Sequence, residues 1–255
     1  MTTPIKPTVL VTGSARRIGR ALALDFGRRG WQVAVHAHTS KADAAAAVDE
    51  IKASGGAAAA VIADLANHTA VKRMVDEVMQ RFGPMTCLIN NASLFLYDDV
   101  ATLGEDLWDR HMAINLKAPV FLAKAMAENL PSGVAGNVIN IIDQRVWKPT
   151  PHFFSYAASK AGLWAVTQTL AQALAPRIRV NAIGPGPALK SIHQAASDFE
   201  IQAKSTLLGR GTTPEEIAAA VRFILDAPAM TGQMIALDGG QHLAWATPDV
   251  GDGRG

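Results

Sequence analysis

Cysteine is almost missing from this chain: Cys87, inside the apolar run MTCLIN, is the only one. A disulfide framework within the chain is thereby excluded, as is a metal centre built on cysteines. Its apolar setting marks Cys87 as a core residue. Also missing is any uninterrupted apolar run of the roughly 18 residues that a membrane span requires. The opening MTTPIKPTVL has no basic segment leading into an apolar one, which argues against a secretory signal. Nor is there an excess of charge, since 24 Lys and Arg stand against 22 Asp and Glu. The arginine pairs at 16–17 and 28–29 lie apart without interleaved aromatics, so a nucleic-acid partner is not expected. No Pro/Gly/Ser-rich linker divides the chain. The expectation is one domain over residues 1–255, cytoplasmic, with no membrane partner.

What is present is a regular alternation. Short β-type runs, TVLVT (8–12), WQVAVHAH (31–38), AAVIAD (59–64), TCLIN (86–90), NVINII (137–142) and RIRVNAI (177–183), are each followed by a longer stretch. Helical stretches are expected at about 105–130, 153–175 and 214–226, before a last run, QMIALD (233–238). Such repetition predicts an α/β fold of the Rossmann type: a parallel sheet of about seven strands with helices on both faces. Residues 184–211 have weak periodicity for their length and read as an irregular loop that serves as a lid. The Gly-rich end, 248–255, reads as a flexible tail.

VTGSARRIGR (11–20) falls where the first strand turns into the first helix, which is the context a dinucleotide-binding turn needs. Gly13 and Gly19 allow the tight turn and close helix–strand packing, and the helix N-terminus offers N–H groups to a pyrophosphate. Arg17 occupies the place where a middle glycine often sits, and its cation is expected to point toward the phosphates. Strand two ends in VHAHTS, with no acid to hold an unphosphorylated ribose. Arg16, His38, Thr39 and Ser40 instead offer donors and positive charge to a 2′-phosphate, which favours NADP(H). His36 and His38 share a strand face without further ligands, so ordinary sheet packing is expected and no metal.

Tyr156 and Lys160 are set four apart, on one face of a predicted helix. A free tyrosine has a pKa of about 10, and a neighbouring ammonium is expected to bring it down toward the range of proton exchange. Asn115 has Pro119 four residues after it, and proline has no N–H to return to the carbonyl of Asn115. A kink that aims this carbonyl sideways is expected.

With TGSARRIG, ADL (63–65), NNAS (90–93), Asn115, YAASK (156–160) and IGPGP (183–187), the chain resembles the short-chain dehydrogenase/reductase family over residues 8–242. The resemblance implies that Tyr156 is the acid/base, that Lys160 tunes it and holds the nicotinamide ribose, and that Asn115 completes a proton relay. It implies cofactor contacts from Gly13, Ser14, Arg16, Arg17, Ile18 and Gly19, from Asp64, Leu65, Asn91, Ala92 and Ser93, and from Pro185 and Gly186. It also implies a homotetramer.

Most members of that family carry a serine thirteen residues before the tyrosine, and this chain has Asp143 there. An ionised carboxylate only accepts hydrogen bonds, so it disfavours a carbonyl oxygen that is becoming an alkoxide. It suits an N–H-rich heterocycle, and hence a C=N bond whose nitrogen must be protonated. The chain resembles most the pteridine reductases of this family, the bacterial dihydromonapterin and dihydrofolate reductase type. That subgroup combines an Asp–Tyr–Lys set with arginine in the glycine turn and NNASxF, here NNASLF (90–95). The resemblance implies that Phe95 stacks on a pterin-like substrate, with Ser93, Arg17, Asp143 and Tyr156 also contacting it. Thr39 departs from the arginine frequent in the subgroup. Two other readings stand beside it: a ketone or 3-oxoacyl reductase with a protonated Asp143, and a non-catalytic NADP(H) sensor.

Overall fold

The computed structural model describes residues 5–190 and 196–245. Seven parallel strands form one sheet: β1 (Thr8–Val11), β2 (Gln32–Ala37), β3 (Ala57–Ile62), β4 (Cys87–Asn90), β5 (Gly136–Ile141), β6 (Ile178–Pro185) and β7 (Met234–Leu237). Their spatial order is β3-β2-β1-β4-β5-β6-β7. The order reverses between β1 and β4, which pair from Val9 opposite Cys87 to Val11 opposite Ile89. A crevice opens at such a reversal, beyond the C-terminal ends of the strands.

Among the described residues eight α-helices join the strands: α1 (Arg17–Arg28), α2 (Lys41–Ala53), α3 (His68–Phe82), α4 (Glu105–Met112), α5 (Ala118–Asn129), α6 (Phe154–Leu174), α7 (Ala196–Lys204) and α8 (Pro214–Asp226). Strand side chains alternate between the faces. Val9, Val11, Val33 and Val35 therefore pack with Leu22, Phe26, Ile51 and Val221 on one face. Leu10, Ala34 and Leu88 pack with Met74, Val78, Leu122 and Met126 on the other. Cys87 is fully buried in the first of these cores, as its setting predicted.

Two expectations needed revision. The stretch at 105–130 is not one kinked helix: α4 passes into a wider π-helical turn, Ala113–Lys117, before α5. Ala118 donates its N–H to the carbonyl of Ala113, five residues back. With Pro119 at the start of α5 and lacking an N–H, the irregularity is absorbed by widening the turn. The stretch 184–211 is not all loop either. β6 continues to Pro185 and α7 lies within it, while residues 191–195 fall outside those described. The tail 248–255 also lies outside the described residues.

The glycine turn shows why two of its residues have no side chain. Gly13 has φ +64°, and a Cβ there would stand 2.9 Å from the Cα of Ala92. A Cβ on Gly19 would stand 2.6 Å from Nδ2 of Asn91 and 2.8 Å from the Cα of Ser14. Gly19→Ala must therefore move backbone, at a cost of roughly 1–3 kcal/mol for an overpacked site. The expected result is a fall of roughly 2–12 °C in Tm, and an unchanged melting curve would show that the turn yields freely.

Candidate active site

A cleft of about 520 Å³ lies over the reversal point and is walled by the ends of six strands. Gly13 comes from beyond β1, His38 from β2, Asp64 and Leu65 from β3, and Asn91, Ala92, Ser93 and Phe95 from β4. Asp143 follows β5, and Pro185 and Gly186 close β6. Arg16, Arg17, Ile18 and Gly19 line it from the glycine turn, and Tyr156 and Lys160 from α6.

Three residues expected to meet the cofactor, and Asn115, expected to complete a proton relay through its carbonyl, do not line this cleft. Ser14 is fully buried; its hydroxyl donates to the carbonyl of Val11 at 2.7 Å and accepts from the N–H of His36 at 3.0 Å. It braces the turn from below. Thr39 and Ser40 sit at the start of α2 and do not line the cleft. Asn115 is also fully buried, and its amide is consumed by structure. Its Oδ1 accepts from the N–H of Leu94 at 2.8 Å, and its Nδ2 donates to Leu94 O and Ser159 Oγ, both at 3.0 Å.

His36 is more than sheet packing. Its Nδ1 accepts from the N–H of Gly13 at 2.9 Å, and its Nε2 lies 3.1 Å from the carbonyl of Ala63. These two contacts require a neutral ring with its proton on Nε2. Burial lowers its pKa from 6.5 to about 4, with His38 pushing the same way and the Ala63 bond opposing.

At the mouth, Arg17 adopts φ +56°, the left-handed region usually left to glycine. Arg17 lines the cleft, and its guanidinium is held there by backbone. It donates to the carbonyls of Lys190 at 2.7 Å and Leu189 at 3.0 Å, tying the glycine turn to the segment after β6. Arg16 is likewise engaged: its Nε donates to Asp43 at 2.7 Å. An acid is thus present beside the end of strand two, placed by the first turn of α2 and not by the strand itself.

In the middle of the cleft wall the Tyr156 hydroxyl donates to Oδ2 of Asp143 at 2.9 Å. The other carboxylate oxygen accepts from the N–H of Arg145 at 2.8 Å. The expected lowering of the phenol's pKa by Lys160 is not found. Burial pushes it well above its ordinary value, the carboxylate of Asp143 adds to this, and only Arg145 opposes. Lys160 donates to the carbonyl of Ile141 at 2.9 Å, and its ammonium stands 5.8 Å from the centre of the Tyr156 ring. Burial brings its own pKa from 10.5 down to about 8, against the pull of Asp143. The protein alone therefore keeps a proton on the tyrosine.

Phe95 lines the cleft, stacked on Phe153 at 4.3 Å between centroids and only 10° from parallel. Its edge meets Tyr156 at 4.7 Å. Phe153 is held at φ +56°, immediately before α6. Arg145 lies over both rings, 5.2 Å from Phe153 and 5.8 Å from Phe95, and its buried Nη1 has no hydrogen-bond partner among the described residues. Sequence reasoning missed Phe153, Arg145 and Asp43. The positions two residues after Asp143 and three before Tyr156 were the only signals that pointed to the first two.

The described residues contain no cluster of three metal-ligating side chains and no helix long and apolar enough to cross a membrane. Residues 7–200 match the family described as short chain dehydrogenase. The fold superposes with a TM-score of 0.93 on FolM alternative dihydrofolate reductase 1 from Brucella suis, solved in complex with NADP. That chain is 52% identical, and the match covers 95% of this chain and 98% of that one. The 3beta-hydroxysteroid dehydrogenase 1 of Eggerthella lenta is 36% identical over 92% of this chain and 94% of its own. The 3-oxoacyl-(acyl-carrier-protein) reductase FabG of Staphylococcus epidermidis is 34% identical over 92% and 99%.

The buried His36 predicts an acid sensitivity whose sign is set by its lowered pKa. As pH falls below 6.5 the unfolded chain takes up the proton first, so stability is lost until about pH 4. The loss is on the order of 3 kcal/mol. In His36→Gln, the amide can accept from Gly13 and donate to Ala63 without titrating. Urea midpoints measured across that range should fall less for His36→Gln than for the parent, and parallel slopes would refute the assignment.

Proposed function

The chain belongs to the short-chain dehydrogenase family, and from that premise we propose that this oxidoreductase is an NADPH-dependent pteridine reductase. Its substrate is a pterin or dihydropterin, and it reduces a C=N bond. The observation that carries this reading is the 2.9 Å hydrogen bond from Tyr156 to Asp143, beside the flat wall of Phe95. The 52% identity to a protein named as a dihydrofolate reductase supports it.

The cleft suits a dinucleotide on its own geometry. The first turn of α1 carries no acid and no capping side chain, so its N–H groups are left for an anion. Gly13 and Gly19 keep that approach free of side chains. NADP(H), when bound, supplies the hydride. Asp64 and Leu65 would hold the adenine, Arg16 and His38 the 2′-phosphate, and Lys160 the nicotinamide ribose.

The protein's own residues handle the proton and the orientation. Asp143 accepts from the phenol in the structure, and with a substrate in place it also accepts from ring or amino N–H groups. Tyr156 keeps its proton because burial and Asp143 both disfavour the phenolate. A substrate nitrogen gaining charge as its neighbouring carbon is reduced is a far stronger base, and the phenol proton passes to it. Phe95 presents a face for the flat ring. A ketone reductase is the competing reading, favoured by the names of the relatives at 34% and 36% identity. It requires Asp143 to donate, whereas in the structure Asp143 is an acceptor on both oxygens. We also propose a homotetramer, for which the exposed apolar side chains Phe223, Leu207 and Leu208 offer contact surface.

Replacing Tyr156 with Phe should abolish turnover and leave NADPH binding nearly intact. Asp143→Ser should lower kcat/KM for a dihydropterin by about 10²–10⁴-fold and open weak activity on small ketones. Equal dihydropterin turnover by Asp143→Ser and the parent would remove the main support for a pterin substrate.

Cofactor preference is tested separately by titrating NADPH and NADH. NADPH should bind more tightly. Arg16→Ala should cost NADPH roughly 1.5–3 kcal/mol with little effect on NADH. Asp43→Asn, which frees Arg16 from its present partner, should tighten NADPH by roughly two- to five-fold, the scale of an exposed ion pair. Tighter binding of NADH by the parent would overturn the preference.

A further inference from the structure

Three polar side chains just behind Tyr156 take no part in the chemistry described above. Asp98, His111 and Ser155 are all essentially inaccessible, at 1%, 0% and 0% exposure. Removing a carboxylate from water is costly, and no cation pairs with Asp98 among the described residues. It is held instead by donors: the N–H of Ser155 at 3.2 Å, the Ser155 hydroxyl through a short bond, and the N-terminal end of α6.

The proton positions follow from the contacts. The N–H of Leu96 donates to Nε2 of His111 at 3.4 Å, so the ring proton is on Nδ1, which lies 2.6 Å from Ser155 Oγ. Ser155 accepts there and donates its own proton to Asp98. Burial lowers the pKa of His111, with Arg110 acting the same way and Asp98 opposing, so the ring stays neutral and Nε2 remains an acceptor. A serine, a histidine and an aspartate in contact suggest a nucleophile, but this order excludes one. His111 presents a proton to Ser155 and is no base toward it, and the cluster is sealed from solvent.

The position of this cluster gives it another role. Residues 91–99 run on from β4 without helix or strand. Their even members are pinned one after another: Leu94 by Asn115 on both backbone groups, Leu96 by His111, and Asp98 by Ser155. The carbonyl of Asp98 also accepts from the N–H of Phe154 at 3.2 Å. Phe95 and Tyr97, which alternate with the pinned members, belong to the aromatic wall. Phe95 stacks on Phe153 and touches Tyr156, and Tyr97 meets the edge of Phe153 at 5.3 Å.

We propose that His111, Ser155 and Asp98 are positioning residues that lock this segment to the first turn of α6, so that Phe95 and Tyr156 meet the substrate as one rigid unit. The proposal rests on the reading of Phe95 as substrate platform and Tyr156 as proton donor. It makes His111 and Ser155 determinants of the chemical step and not of cofactor binding, because neither lines the cleft and the glycine turn lies on the other side of β4.

The test measures NADPH oxidation with a dihydropterin, together with NADPH affinity by fluorescence titration, for His111→Leu, His111→Gln, Ser155→Ala and Tyr156→Phe. A misplaced donor costs about 10–100-fold in rate, so His111→Leu should lose that much in kcat while its NADPH Kd stays within about two-fold. His111→Gln keeps one acceptor and one donor and should recover most of the loss. If His111→Leu does not fold, Ser155→Ala carries the same comparison, with the same expected split between kcat and NADPH Kd. Parental kcat in both His111→Leu and Ser155→Ala, or NADPH binding lost in step with kcat, would overturn the proposal. Within that result, an inactive Tyr156→Phe shows the positioning role alone to be wrong. An active Tyr156→Phe instead overturns the proton-donor reading, and the proposal with it.

Discussion

The hydrogen bond between Tyr156 and Asp143 depends on bringing two distant pieces of backbone to one place. Asp143 follows the last residues of β5, and Tyr156 sits in the first turn of α6, which starts at Phe154. β5 is held between β4 and β6, so the position of Asp143 is set by the centre of the sheet. The start of α6 is bonded to Asp98, whose carboxylate accepts from the N–H of Ser155 and whose carbonyl accepts from that of Phe154. The site is assembled where these two constraints meet, and neither a strand nor a helix alone would fix the 2.9 Å distance.

Burial then decides the electrostatics. Tyr156 and Lys160 lie four apart on one helix face, yet the ammonium bonds a backbone carbonyl and the phenol bonds a carboxylate. Both groups are driven toward their neutral forms, the tyrosine upward and the lysine down to about 8. A protonated tyrosine is a donor, and the carboxylate beside it only accepts, so the pair presents one donor and one acceptor side by side. The same logic applies to His36, whose neutral state is needed to hold Gly13.

The arginines show what composition leaves out when partners are unknown. Arg16 and Arg17 look like two free cations aimed at phosphates. In the fold, Asp43 takes one and the carbonyls of Leu189 and Lys190 take the other. Arg145, which attracted no attention in the sequence, lies over the aromatic wall and is the charge that opposes Asp143 at the tyrosine.

Local pattern was enough to read the parallel sheet, the glycine turn, the Tyr156–Lys160 spacing and the unusual acid at 143, because each is encoded within a few residues by periodicity or fixed offset. The family follows from the same motifs. The π-helical turn at Ala113–Lys117 was half visible: Pro119 announced a lost hydrogen bond, but whether the chain kinks or widens depends on what Asn115 must reach across to. The direction of the tyrosine's pKa, the pairing of Arg16 with Asp43 and the Asp98–Ser155–His111 network were not legible. Each depends on desolvation or on contacts between residues 13 to 57 positions apart. Such distances close only when the sheet order and the packing of α4 and α6 are settled, and those are decided by burial across the whole core and not by any one stretch of sequence.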